Sequence, residues 1–328
     1  MTFNILLLAI GLALAASEQF HRGIVQDGVL SVSGKDLDVT IETGKKAKYG
    51  DPSKPTLNLL PVDLKAHDWI NLDDAGLTAG EKQYYEDGFY DFQAAILYAY
   101  NKKDIRPSYW YIKDCAPKKA SGDTDVFAEA GTVPNWEYIS FIRGVNDADV
   151  CYGTEPSEDP DKYGKCQYTC PKDESKSPFQ NSYGKGILLK GSLSPGYKTD
   201  ELKQRIGTFG PILTIASGEE NRIFYGWNET GLLYLVRDKG DGYLKKKVVD
   251  APGGISKAYI AHQAFDCDNS LTKKTKRIDC ECPPIEDVKA YKEDTRTATK
   301  KFCTASGATR AAWTVIATVL LLPLLSMW

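Results

Sequence analysis

Eight cysteines, at positions 115, 151, 166, 170, 267, 280, 282 and 303, lie between two apolar ends of a 328-residue chain, and these features together restrict what it can become. The first apolar run, Asn4 to Ala16, is too short to span a bilayer and leads into small residues that suit cleavage between Ala15 and Glu18. Residues 1–16 therefore read as a secretory signal peptide. At the other end, "ASGATRAAWTVIATVLLLPLLSMW" places Ser306, Gly307 and Ala308 before an apolar tail that Pro323 interrupts and no Lys or Arg follows. That order fits a GPI-attachment signal over 307–328 with Ser306 as the attachment residue; the alternative is a single C-terminal transmembrane helix. Either reading sends the body of the chain through the secretory pathway to the extracellular face of the plasma membrane. An even number of cysteines in that oxidising setting reads as disulfides.

A net charge of -3, mixed along the chain, gives no basic surface for nucleic acid. "NET" at Asn228 is a glycosylation sequon, which in a secreted chain implies a surface position. "DKGDG" at 238–242 lacks the later ligands of a calcium loop and reads as a hairpin turn. The C-x-C of Cys280 and Cys282 reads as two disulfide halves rather than a zinc site, so no metal and no cofactor are expected. Lys273, Lys274, Lys276 and Arg277 read as a solvated patch beside a membrane stalk.

Helix and strand patterns alternate without a repeat. Glu18 to Leu59 is polar, with β-like pieces in "VLSVSG" and "LDVTIET". Phe89, Phe92, Ile96 and Ala99 recur at helical spacing over 86–101, with Glu86 and Asp87 favouring the N-terminus through the helix dipole. A second helix is expected from Pro134 to a stop at Gly144, and an acidic, cysteine-bearing loop over 155–177. A third helix is expected to be capped by Thr199 and to stop at Gly207. "PILTIAS", "RIFYGW", "LLYLVR" and "KAYIAHQAF" then read as strands, which makes the chain α+β.

The order of these pieces resembles the papain-like cysteine peptidases. "LPVDLKAHDWINLDDAGLT" is similar to the family's mature start, and Leu77 to Phe92 aligns without a gap to its nucleophile segment. "SYWYIKDCAP", "NWEYISFIRG", "KCQYTC", "TDELKQRIGTFGPILTIAS", "RIFYGW" and "GISKAYIAHQAF" resemble the later segments in the right order. The resemblance implies a papain-like domain over 60–265 with a helical lobe, a β-rich lobe and a cleft between them. It leaves 17–59 as a short pro-like segment and 266–306 as a cysteine-containing extension or stalk. It also implies a Cys115–Cys166 bridge and suggests Cys151–Cys170 as a second; the last four cysteines have three possible pairings.

Position by position, the resemblance implies lost catalysis. Phe89 stands in the nucleophile column, where the family has a cysteine activated by a helix N-terminus and a facing histidine. Lys257 stands in the histidine column, and the segment that supplies the orienting asparagine has no counterpart. Gln83 alone matches, in the oxyanion-hole column. Glu86 replaces a cysteine whose usual partner is missing as well. His262 reads as a satisfied strand histidine rather than a displaced base. The expectation is an inactive papain-like cell-surface glycoprotein that binds a peptide or protein, in the cleft or on its surface. The alternatives are a hydrolase that uses other residues and a structural coat protein.

Overall fold

The computed structural model describes residues 16–26, 29–41, 47–67, 79–115, 119–121, 143–153, 159, 161–162, 164–193, 196–216, 220–267, 280–298 and 303. Residues 1–15 of the expected signal peptide, most of the helix expected from Pro134, the basic run 273–277, Ser306 and the apolar tail lie outside the described residues.

The chain is α+β. Its main sheet takes β7 (Ile187–Leu193), β8 (Ile212–Ala216), β9 (Arg222–Asn228), β10 (Gly231–Arg237), β11 (Leu244–Val249) and β12 (Ile255–Gln263). They run antiparallel in the order β11-β10-β9-β8-β12-β7, and the short β3 (Leu57–Asn58) pairs with β9. Side chains alternate across a strand, and here both faces are covered. Leu213, Ile223, Tyr225, Tyr259 and Ala261 face a core shared with α2 (Phe89–Asn101) and α3 (Tyr109–Cys115). Ile212, Phe224, Trp227, Ala258 and Ile260 face a second core shared with α4 (Thr199–Phe209). Gly226 is required where β3 meets β9, because a Cβ there would lie 2.1 Å from the Leu57 carbonyl oxygen.

The helix expected over 86–101 is α2, which starts at Phe89 and follows a separate helix. Glu86 ends α1 (Ala79–Glu86), and Gly88, at φ 80°, takes a left-handed turn from which α2 begins. The third expected helix also differs at both ends. Lys198 is its N-cap, its backbone N–H donating to the Glu201 carboxylate at 3.3 Å, while the Thr199 hydroxyl donates to the Asp250 carbonyl at 3.2 Å. The helix runs past Gly207 to Phe209 and ends at Gly210, φ 84°. Gly207 serves packing instead: a Cβ would come within 2.9 Å of the Gly50 carbonyl oxygen.

The β-like pieces near the N-terminus form a hairpin of β1 (Ala16–Gln26) and β2 (Val29–Ile41), with β4 (Lys119–Ser121) parallel to β2. Phe20 packs on Phe209 and His262, at 5.5 and 5.4 Å between ring centroids. Buried Glu18 accepts from Lys190 at 2.5 Å and Arg205 at 3.0 Å. Residues 238–242 form a turn stabilised by Lys245, whose Nζ lies 2.6 Å from both Asp238 and Asp241.

All eight cysteines are paired: Cys115–Cys166, Cys151–Cys170, Cys267–Cys280 and Cys282–Cys303. Disulfides of this number mark an extracellular or secreted protein. The segment after Cys280 is docked on the body. Arg143, just before β5 (Val145–Asn146), forms a bidentate pair with Glu281 at 2.6 and 3.2 Å, and β6 (Ser182–Tyr183) pairs with β5 beside it. Asp287 caps α5 (Val288–Glu293) through the Ala290 N–H at 3.0 Å and accepts from the Ser177 hydroxyl at 2.5 Å. The short α6 (Thr295–Ala298) follows, and Arg296 donates to the Cys280 carbonyl at 2.7 Å. Among the described residues no helix is long and apolar enough to cross a membrane.

Candidate functional site

The first turn of α2 is where the family resemblance would put a nucleophile, and Phe89 opens that turn. Apolar spacing buries this end of the helix against the sheet: Phe89 is 1% exposed, and Tyr90 and Phe92 are buried beside it. Its ring meets the Tyr259 ring of β12 edge to face, with centroids 4.6 Å apart and planes at 74°. Lys257 lies two residues before Tyr259 on the same strand, so both side chains leave the same face. The Lys257 Nζ sits 4.6 Å from the centroid of the Tyr259 ring. Phe89, Tyr259 and Lys257 thus form a row, with Tyr259 packed against both of the others.

Gln83 is not part of that row. It lies on α1 with its side chain exposed, and its carbonyl accepts from the Asp87 N–H at 2.9 Å in the turn that separates the two helices. Glu86 forms an exposed i,i+4 pair with Lys82 at 3.7 Å. The Asn221 amide, on the approach to β9, donates to the Glu86 carbonyl at 3.0 Å and ties the α1–α2 turn to the sheet.

Below the same helix end lies a buried ion pair. Arg237, at the end of β10, donates to Asp91 at 2.6 and 3.1 Å and also to the carbonyls of Ala66 and Gly242 at 2.6 and 2.7 Å. Burial pushes the Asp91 carboxyl above its ordinary value, and Arg237 works against that push. Burial alone would lower Arg237, but the facing carboxylate outweighs it and holds the guanidinium above its ordinary value. The two side chains meet in the bidentate geometry of a charge-assisted pair.

Between the turn and the sheet is a depression of about 20 Å³ bordered by Tyr85, Glu86, Asp91, Asn221 and Arg237. That volume is enough to admit a water molecule.

The chemistry available here is correspondingly limited. A phenyl ring neither attacks nor exchanges protons, and every cysteine is oxidised. His262 faces the second core, between Phe20 and Phe209, on the opposite side of the sheet from Phe89. Burial and then the Lys48 charge push its pKa down to about 4, so it is neutral at physiological pH. Buried Tyr84 donates its hydroxyl to Gln93, and burial holds that phenol well above its ordinary value. Among the described residues no group of three or more His, Cys, Asp or Glu is placed to hold a metal ion.

Tyr259 is the functional neighbour that inspection of the chain passed over. Its signal was present, since strand alternation puts it on the face of Lys257. Arg237 had no such signal, because 146 residues separate it from Asp91. Asn228 lies at the β9–β10 turn, where its side-chain oxygen accepts from the Thr230 N–H at 2.9 Å and hydroxyl at 2.7 Å, with Glu229 and Thr230 exposed. No protein-family model matches the chain, and no curated protein sequence matches it.

Proposed function

We propose that this protein is a catalytically inactive ectodomain of papain-like, two-lobe architecture, a glycoprotein held at the outer face of the plasma membrane that recognises a protein or peptide partner. The observation that carries this reading is the Phe89–Tyr259 contact. It supports a fold in which the start of the central helix meets the late strand that would bear the general base. On the resemblance, Phe89 would take the place of the thiolate and Lys257 that of the imidazole, and the Tyr259 ring packs against both. The surface position of Asn228 suits a glycan, and the tail after Ser306 suits a lipid anchor or a single membrane-spanning helix.

The test is chemical. The purified protein is expected neither to hydrolyse peptide substrates nor to react with epoxide or vinyl-sulfone probes of cysteine peptidases. Phe89→Cys is expected to stay silent as well, because His262 lies on the opposite face of the sheet and the new thiol would lie against Tyr259. Covalent labelling of wild-type protein at or around Phe89 would overturn the proposal.

A further inference from the structure

Ile285 and Val288 are 48% and 54% exposed, and the other exposed aliphatic side chains among the described residues, Val62, Val150 and Val248, lie elsewhere in the sequence. Val288, Lys289 and Lys292 are exposed on the short α5, and Ile285 is exposed in the turn that leads into it. Asp287 and Ala290 between them are buried, and Asp287 is bonded to Ser177. The Lys289 Nζ folds back to the Ser175 carbonyl at 2.6 Å, so that lysine is itself tied to the body.

The covalent structure says what this segment faces. Cys282, three residues before Ile285, is bridged to Cys303, with Cα atoms 5.6 Å apart. Cys303 is in turn three residues from Ser306, which an extended chain spans in at most about 11 Å. If the apolar tail is instead a membrane-spanning helix, ten residues from Cys303 to Trp313 set a limit of about 36 Å. The disulfide therefore carries the tether's origin back to the foot of α5.

We infer that the side bearing Ile285, Val288 and Lys292 rests on the bilayer, its two aliphatic side chains entering the headgroup region and Lys292 lying at the same level. This rests on the membrane attachment proposed above. Exposed Glu286 and Glu293 flank the lysines, so the contact is apolar rather than electrostatic and does not depend on anionic lipid or low salt.

Amine acylation of the full chain on intact membranes, mapped by mass spectrometry, tests it. In 0.5 M NaCl, Lys292 is expected to label about fivefold less than in the Ile285→Asp/Val288→Asp variant. Exposed Lys54 and Lys239 are expected to label equally in the two proteins, which shows that the fold is retained. Val288→Ser, a milder change, is expected to give an intermediate value. Equal labelling of Lys292 in wild type and variants on the membrane would overturn the docking side while leaving attachment intact. Absence of the wild-type protein from the membrane fraction would overturn attachment and the docking side together.

Discussion

Asp91 and Arg237, 146 residues apart, form a bidentate ion pair in which the two side chains are only 1% and 3% exposed. The pair joins the first turn of α2 to the end of β10, and the remaining guanidinium N–H groups hold the Ala66 and Gly242 carbonyls. One residue thus connects a helix, a sheet strand, the hairpin that follows it and the incoming segment before α1.

Removing one partner leaves an uncompensated buried charge, so Asp91→Ala and Arg237→Ala are each expected to cost about 3–5 kcal/mol. Asp91→Leu combined with Arg237→Met is expected to recover much of that loss, with the two carbonyls left unpaired as the residual cost. Denaturant midpoints for the single and double variants, read as a double-mutant cycle, check it; additive losses would contradict the coupling.

The Cys115–Cys166 bridge closes a 51-residue separation and fastens the end of α3 to the loop that follows β5. On the chain-entropy estimate that constraint contributes about 4 kcal/mol. Cys115→Ser is expected to reduce secretion of folded protein sharply, measured as the fraction recovered in native form from the medium. Non-reducing peptide maps of the wild type are expected to show Cys115 joined to Cys166 alone.

His262 makes stability depend on pH. Its folded-state pKa is pushed down to about 4 from an unfolded value near 6.5, by burial and by Lys48. Below 6.5 the unfolded chain binds a proton that the folded chain refuses, so stability present above that pH is lost as pH falls toward 4. Its ring is partly exposed, which limits the loss to about 2 kcal/mol or less. Unfolding midpoints at pH 7 and pH 5 are expected to differ more in wild type than in His262→Gln.

Two glutamates in ion pairs should behave differently. Glu86 and Lys82 are both more than 40% exposed, so Glu86→Gln is expected to change stability by less than about 0.5 kcal/mol. Glu281 is 4% exposed and faces Arg143 at 2.6 Å, so Glu281→Ala is expected to cost about 3–5 kcal/mol. Thermal or denaturant unfolding of the two variants side by side checks the contrast. A small effect at Glu281 would mean that the segment after Cys280 is not held as described.

What the amino-acid sequence determined by itself was local. Apolar spacing of three and four marked the body of α2 through Phe92, Ile96 and Ala99, and the β-branched and aromatic runs marked β8, β9, β10 and β12, because these signals depend only on near neighbours. Boundaries were less legible. Gly88 and Gly210 end or begin helices by taking positive φ, whereas Gly207, equally a glycine in sequence, sits inside α4 because the Gly50 carbonyl needs the space. Composition could not separate those uses. The tertiary structure alone decided which of the last four cysteines pair, that Glu281 and Asp287 hold the C-terminal segment on the body, and that Asp91 meets Arg237. Each of these contacts forms only once remote segments are already packed, so no local pattern records it. The candidate site divides in the same way. The burial of Phe89 at the start of α2 could be read from apolar spacing along the chain, while the exposure of Gln83 and the ring of Tyr259 against Phe89 follow from how α1, α2 and β12 meet.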